Sequence, residues 1–401
     1  MTNVPKHADV VIVGGGVIGL VVARALALRG CRDVLLIERA GLGAEASSAA
    51  AGMLAPQAEA DCADEFFHLA CRSRDMYPAF AAALLDETGI DIELEPTGTL
   101  YLAFTDHDAT ELQKRYQWQK DAGLRLEMLG GDDARRLEPA VSDNVSAALK
   151  FPLDLQVENR RLISALAAST EKLGVRLLTG TTVASLKTDY RGIAGVETSR
   201  GFVGTDTVVV AGGAWTSALG LTDMSGRATP ARTLPDLRIE PIRGQMLCFE
   251  ANPPIARHVI YSPRGYIVPR RDGRLLAGAT TEQAGFDKRV TAEGISSILS
   301  AAMEISPQIG ALPMRSSWAG FRPRAADGLP VLGQYAEIGG LFYATGHYRN
   351  GILLAPITGE LIAGAIVDQA VSTELNYFSP NRFERTGSST FHVETVASSP
   401  L

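Results

Sequence analysis

Cysteine is scarce. Four thiols, Cys31, Cys62, Cys71 and Cys248, lie scattered along 401 residues. No CxxC pair and no Cys/His cluster with ligand spacing occurs, which excludes a zinc module and a disulfide framework; buried reduced thiols in a cytoplasmic protein, and no metal, are expected. Basic charge is also in short supply: 38 Lys and Arg stand against 45 Asp and Glu, a net charge of −7. A nucleic-acid surface needs the opposite balance, so nucleic acid is not an expected partner. Long apolar runs are missing. The strongest, "VVIVGGGVIGLVV", is broken by four glycines, preceded by Asp9 and followed by Arg24. Neither a membrane span nor a signal peptide has that form, so no membrane association is expected. Internal repeats are absent. What remains is a composition 46% hydrophobic and 21% charged, suited to a large core in one large or two modest domains.

Asp9 to Val13 is a Val/Ile-rich run of the kind found in parallel strands covered on both faces. Gly14-Gly15-Gly16-Val17-Ile18-Gly19 follows and fits G-x-G-x-x-G. The stretch "VVARALALRG" predicts a helix closed by Gly30, and "DVLLIE" a second strand ending in Glu38. In this order the pattern predicts a dinucleotide site. Gly14 makes the tight turn, Gly16 admits the pyrophosphate to the backbone, Gly19 lets helix and strand pack closely, and Glu38 accepts from ribose hydroxyls.

The fingerprint leaves NAD and FAD open. After Glu38 and Arg39 comes a stretch of small residues, Ala44 to Gly52, that allows close backbone approach to a large flat ligand. Ser47 and Ser48 are expected to cap a helix beginning near Ala49. No second complete G-x-G-x-x-G unit follows to hold a nicotinamide. A flavin here would therefore take its electrons from a small substrate.

Further along, "DEFFHLACRSRDMYPAFAAALLDETG", "DHDATELQKRYQWQKDAG" (Asp106 as cap) and "ENRRLISALAASTEKLG" predict helices. Residues 176–211 read as a β-meander returning to the first sheet. Residues 239–321 are strand-rich with one helix, "AEGISSILSAAMEI". Trp215 and Trp318 are expected in the core. The class is α/β with α+β: a Rossmann-like dinucleotide domain plus an antiparallel-sheet domain. The first is expected to take residues 1–85, 150–225 and 320–385, the second 86–149 and 226–319. A tail, 386–401, is expected to be disordered.

The segments "VVIVGGGVIG", "SSAAAGMLAP", "VVVAGGAW", "PIRGQML", "GYIVPR", "WAGFRPRAADGLPVLG" and "GHYRNGILLAPITGELIA" together resemble the D-amino-acid-oxidase-like FAD oxidoreductases. Among these the chain is most similar to the glycine oxidases of the thiazole branch of thiamine biosynthesis. The resemblance implies a Rossmann-like FAD-binding domain and an antiparallel-sheet substrate domain, with FAD held non-covalently; no cysteine lies in the flavin-contact motifs. It implies oxidation of glycine, sarcosine and small D-amino acids to the imine, with hydride passing to flavin N5 and O2 reduced to hydrogen peroxide. The imine gives glyoxylate and ammonia, or goes to a thiazole synthase. A homo-oligomer, by resemblance a homotetramer, is implied too.

The resemblance also assigns residues. Arg322 in "AGFRPR" corresponds to the main carboxylate-binding position, Tyr266 in "GYIVPR" to a tyrosine helping to hold that carboxylate, and Arg349 to a second arginine lining the site. Gly14, Gly16, Val17, Ile18, Gly19, Glu38 and Arg39 fall in the dinucleotide fingerprint, and Ala46, Ser47, Ala51, Gly52 and Met53 in the small-residue stretch that follows. Val183 and Gly212 contribute from the central part. Backbone groups of His347, Tyr348, Arg349, Asn350, Gly351, Ile352 and Leu353 are expected at the flavin ring, His347 not acting as a base. The next helix aims its positive end at the ring's pyrimidine edge, with Pro356 in its first turns. Thr281 is expected to line the pocket where a close relative carries methionine. Two rivals stand beside the oxidase: an amino-acid dehydrogenase passing electrons to a quinone or protein, and a non-catalytic FAD-binding subunit.

Overall fold

A computed structural model describes residues 4–228 and 233–383. The tail expected to be disordered lies outside the described residues. Strands Val10–Val13 and Val34–Ile37 run parallel, Ile12 opposite Leu36. They sit inside a six-stranded sheet whose outer strands are Val331–Gln334 and Arg176–Leu178. Their side chains are buried on both faces, as β-branched residues between two covering layers must be. Helices Val17–Leu28, Glu65–Thr88, Asn159–Lys172 and Ala355–Val367 cover one face. The other is covered by a four-stranded sheet, three strands from the expected meander and a fourth, Gly220–Asp223, that joins in parallel from beyond it, with Leu186, Val196 and Val203 packed on Val11, Leu35 and Ile37.

A second, eight-stranded sheet joins Met314–Arg324, Glu240–Glu250, Arg274–Gly278, Gly265–Pro269, Val259–Ser262, Thr99–Ala103, Ala147–Phe151 and Glu127–Gly130 in that spatial order. It is antiparallel except where Val259–Ser262 meets Thr99–Ala103 in parallel. Helix Ala292–Ile305 packs Ile298, Ala302 and Ile305 against it. Three local expectations are corrected. Thr105, not Asp106, caps helix Asp106–Asp121: its hydroxyl accepts from the Asp108 amide while the Asp108 carboxylate accepts from the Thr105 amide. Ser47 caps nothing in its own short helix, Ala46–Ala49; its hydroxyl instead accepts from the Val17 amide, 3.0 Å away. Trp215 and Trp318 are only half-buried. No described helix is long and apolar enough to cross a membrane.

Candidate active site

A cavity of about 420 Å³ runs from the ends of the central parallel strands to the eight-stranded sheet. At its first end the glycines act as their spacing predicts. Gly14 has φ +113°, and a Cβ there would lie 2.4 Å from the Ala211 carbonyl oxygen. A Cβ on Gly19 would lie 1.9 Å from the Gly14 oxygen, so Gly19 serves helix–strand packing and does not line the cavity. Gly16, Val17 and Ile18 do line it, and helix Val17–Leu28 opens there with no cap from its own N-cap residue, Gly16, the Ser47 hydroxyl taking only the Val17 amide. The positive end of that helix therefore faces the cavity, as anion binding requires. The Glu38 carboxylate is aimed by two amides, those of Gly15 at 2.7 Å and Ala40 at 2.8 Å. The Arg39 guanidinium lies 3.6 Å from the Trp215 ring centroid and pairs with Glu45. Trp215 is thus a cavity wall rather than core.

The middle of the cavity is lined by Ala46, Ser47, Ala51, Gly52, Met53, Val183 and Gly212. Buried Arg270, from the same "GYIVPR" segment as Tyr266, donates to the carbonyls of Ala51 and Val157 and ties this wall to the eight-stranded sheet. His347, Tyr348, Arg349, Asn350, Gly351 and Ile352 also line the cavity. Tyr348 has φ +48°, a left-handed conformation that a non-glycine residue holds only when its surroundings impose it. Its amide donates to the Pro323 carbonyl at 2.9 Å, beside Arg322. Leu353 falls outside the cavity; it is buried in the core and its carbonyl accepts from Ser73. The next helix begins at Ala355, which puts Pro356 in its first turn.

The second end gathers the candidate catalytic side chains. Arg322, near the end of Met314–Arg324, donates to the Thr280 carbonyl at 2.9 Å. Its guanidinium lies flat over Gly244, where a Cβ would come within 2.5 Å of three guanidinium atoms. Tyr266 stands beside it with its hydroxyl 3.4 Å from the Met246 sulfur. Burial raises the Tyr266 pKa, so the phenol stays neutral and keeps a proton to donate; burial also lowers that of Arg322, though not enough to discharge a guanidinium. Arg349 lies 3.6 Å from Glu59, and attraction to Glu59 is the main cause of its raised pKa. Burial pushes His347 down to about 3, and its Nε2 lies 3.0 Å from the Thr358 hydroxyl. A neutral, engaged imidazole agrees with a structural His347.

Glu59, Tyr261 and Gly244 escaped sequence reasoning. Glu59 lines the cavity, and its Oε1 accepts from the Tyr261 hydroxyl at 2.8 Å. Nothing local in "APQAE" distinguishes Glu59 from a solvated helix-end acid. Gly244 stood in the quoted "PIRGQML", but only the register with Arg322's strand shows what its missing side chain makes room for. Thr281 does not line the cavity: it is exposed, and its neighbour Thr280 presents its carbonyl to Arg322.

Residues 9–365 match the family described as FAD dependent oxidoreductase. The chain belongs to that family. Within it, the chain is 38% identical over 376 residues to a glycine oxidase of Geobacillus kaustophilus, covering 93% of this chain and 97% of the relative. It is 37% identical to a bifunctional ThiO/ThiG protein of Trichormus variabilis, covering 95% of this chain but 56% of that longer protein. The crystal structure of the Geobacillus kaustophilus glycine oxidase superposes with a TM-score of 0.88 at 37% identity, over 94% of this chain and 99% of the other. FAD is the family's cofactor, and the residues present fit it. The helix N-terminus with its close-packed glycines would hold the pyrophosphate, the aimed Glu38 a ribose, and the small residues together with the pinned loop the flat ring.

Proposed function

We propose that the protein oxidises glycine, and with it other small amines and D-amino acids, to the imine, which water converts to glyoxylate and ammonia. O2 is the acceptor and hydrogen peroxide the product, and the imine feeds thiamine thiazole synthesis. One observation carries this reading. Arg322, a guanidinium that donates to a carbonyl and forms no carboxylate ion pair among the described residues, stands beside the neutral Tyr266 phenol in the cavity into which the dinucleotide cradle opens. The relatives named glycine oxidase, and the fusion of such a chain to ThiG, support the substrate and its destination.

A glycine-sized substrate has three handles: a carboxylate, an amine and a Cα–H bond. The Arg322 fork takes both carboxylate oxygens and fixes their plane. The Tyr266 hydroxyl donates to one of them, which removes the remaining rotation. Met53, Ala51 and Met246 line the approach and keep water from the α-carbon. His347 is neutral and engaged with Thr358, so the amine gives its proton to solvent without it. When bound, FAD supplies the two-electron acceptor and passes the electrons to O2.

Anaerobic glycine added to the purified yellow protein tests this. The visible flavin absorbance is expected to bleach, and admitting air to restore it with about one peroxide per flavin. No bleaching by glycine, sarcosine or D-alanine overturns the amino-acid reading. Bleaching followed by reoxidation slower than turnover with an artificial acceptor assigns the dehydrogenase chemistry instead.

A further inference from the structure

Two cations share the substrate end of the cavity, but they keep different company. The Arg322 guanidinium meets the Thr280 carbonyl, whereas Nη2 of Arg349 faces Glu59 Oε1 at 3.6 Å. The same oxygen accepts from Tyr261, whose ring is fully buried and stacks on Tyr101 at 6.0 Å. Glu59 is therefore held in place. It ends the short Pro56–Glu59 helix, whose Ala58 carbonyl accepts from Arg115. In the same helix the Gln57 amide donates to Gln119 at 3.1 Å, and Gln119 donates back to the Gln57 carbonyl at 2.8 Å. A carboxylate fixed inside a cavity acts on a bound ligand more strongly than one free to swing into water.

Resting on the reading above that the substrate is a small amino acid, we propose that Glu59 determines charge specificity. It neutralises Arg349, leaves Arg322 as the single open carboxylate anchor, and so admits monocarboxylates while rejecting molecules with a second acidic group. A second carboxylate entering this end would meet the Glu59 charge and a guanidinium already paired. With the Glu59 charge removed and its shape kept, Arg349 becomes a second anchor.

The test compares acetate with malonate, two ligands that are not oxidised, titrated into the holoenzyme by their perturbation of the flavin spectrum. The parent is expected to bind malonate no more tightly than acetate. In Glu59→Gln the ratio of acetate to malonate Kd is expected to rise at least about tenfold. Glu59→Gln combined with Arg349→Met should lose that gain. A ratio unchanged within about twofold, or a gain that survives removal of Arg349, overturns the proposal. Should the Gln variant lose its flavin, Glu59→Ser makes the same comparison. Turnover gives an independent readout: iminodiacetate should gain on sarcosine in Glu59→Gln. A parent that selects acetate yet oxidises neither glycine nor sarcosine would sink the proposed reaction and leave the charge selection standing.

Discussion

Gly244→Ala is the sharpest test of the candidate site, because it adds one methyl group at a position whose backbone tolerates alanine. Gly244 lies in an extended strand, Glu240–Glu250, opposite Gly320. No special backbone conformation is lost. A Cβ built there sits 2.5 Å from Cζ, Nη1 and Nη2 of Arg322. Carbon contacts relax only near 3.5–4.0 Å, so the guanidinium must lift by about 1 Å. A displacement of that size at a positioning group lowers the rate about 100-fold. The dinucleotide cradle lies at the other end of the cavity, so the flavin should stay bound. The assay is kcat/KM for glycine by peroxide release, with flavin occupancy read from the visible absorbance. Activity within about threefold of the parent, flavin retained, would refute the placement of Arg322 as the anchor.

Arg322→Ala removes the anchor outright and should cost about 2–5 kcal/mol of transition-state stabilisation with FAD still bound. Kinetics close to the parent would remove Arg322 from the site. A stability prediction concerns Asp154, fully buried and 3.9 Å from Arg74, whose pKa burial pushes from an ordinary 3.8 up to about 8. The folded chain then holds this proton more tightly than the unfolded one. Its contribution is complete below about pH 3.8 and is lost as pH rises to about 8, by up to about 1.4 kcal/mol per pH unit. Asn keeps the neutral shape at every pH, so Asp154→Asn should gain Tm relative to the parent as pH rises from 4 to 8. A Tm difference that stays flat across that range would contradict the burial argument.

Much of the molecule was legible along the chain. Strand, glycines, helix, strand and Glu38 occur in consecutive order, and each role depends on neighbours a few residues away. The helix over Ala292–Ile305 and the strands around Tyr266 and Arg322 likewise follow from local period and composition. Local reasoning failed where the partner is distant. Ser47 reads as a cap for its own helix, but its hydroxyl serves the Val17 amide thirty residues away. Trp215 reads as core, yet Arg39 covers it at the cavity wall. The resemblance places Thr281 in the pocket, yet Thr281 is exposed and the neighbouring Thr280 carbonyl is what accepts from Arg322.

The amino-acid sequence by itself determined the dinucleotide fingerprint and the class of fold, because short-range sterics and periodicity act between residues close in the chain; the two arginines and the tyrosine are singled out only by the family resemblance of the motifs that hold them. Tertiary structure alone decided which arginine stays open. Glu59 reaches Arg349 across 290 positions and Tyr261 across 202, and Gly244 meets Arg322 only because two strands pair in one register. The charge state of a cavity depends on which groups converge there, and convergence is a property of the folded chain.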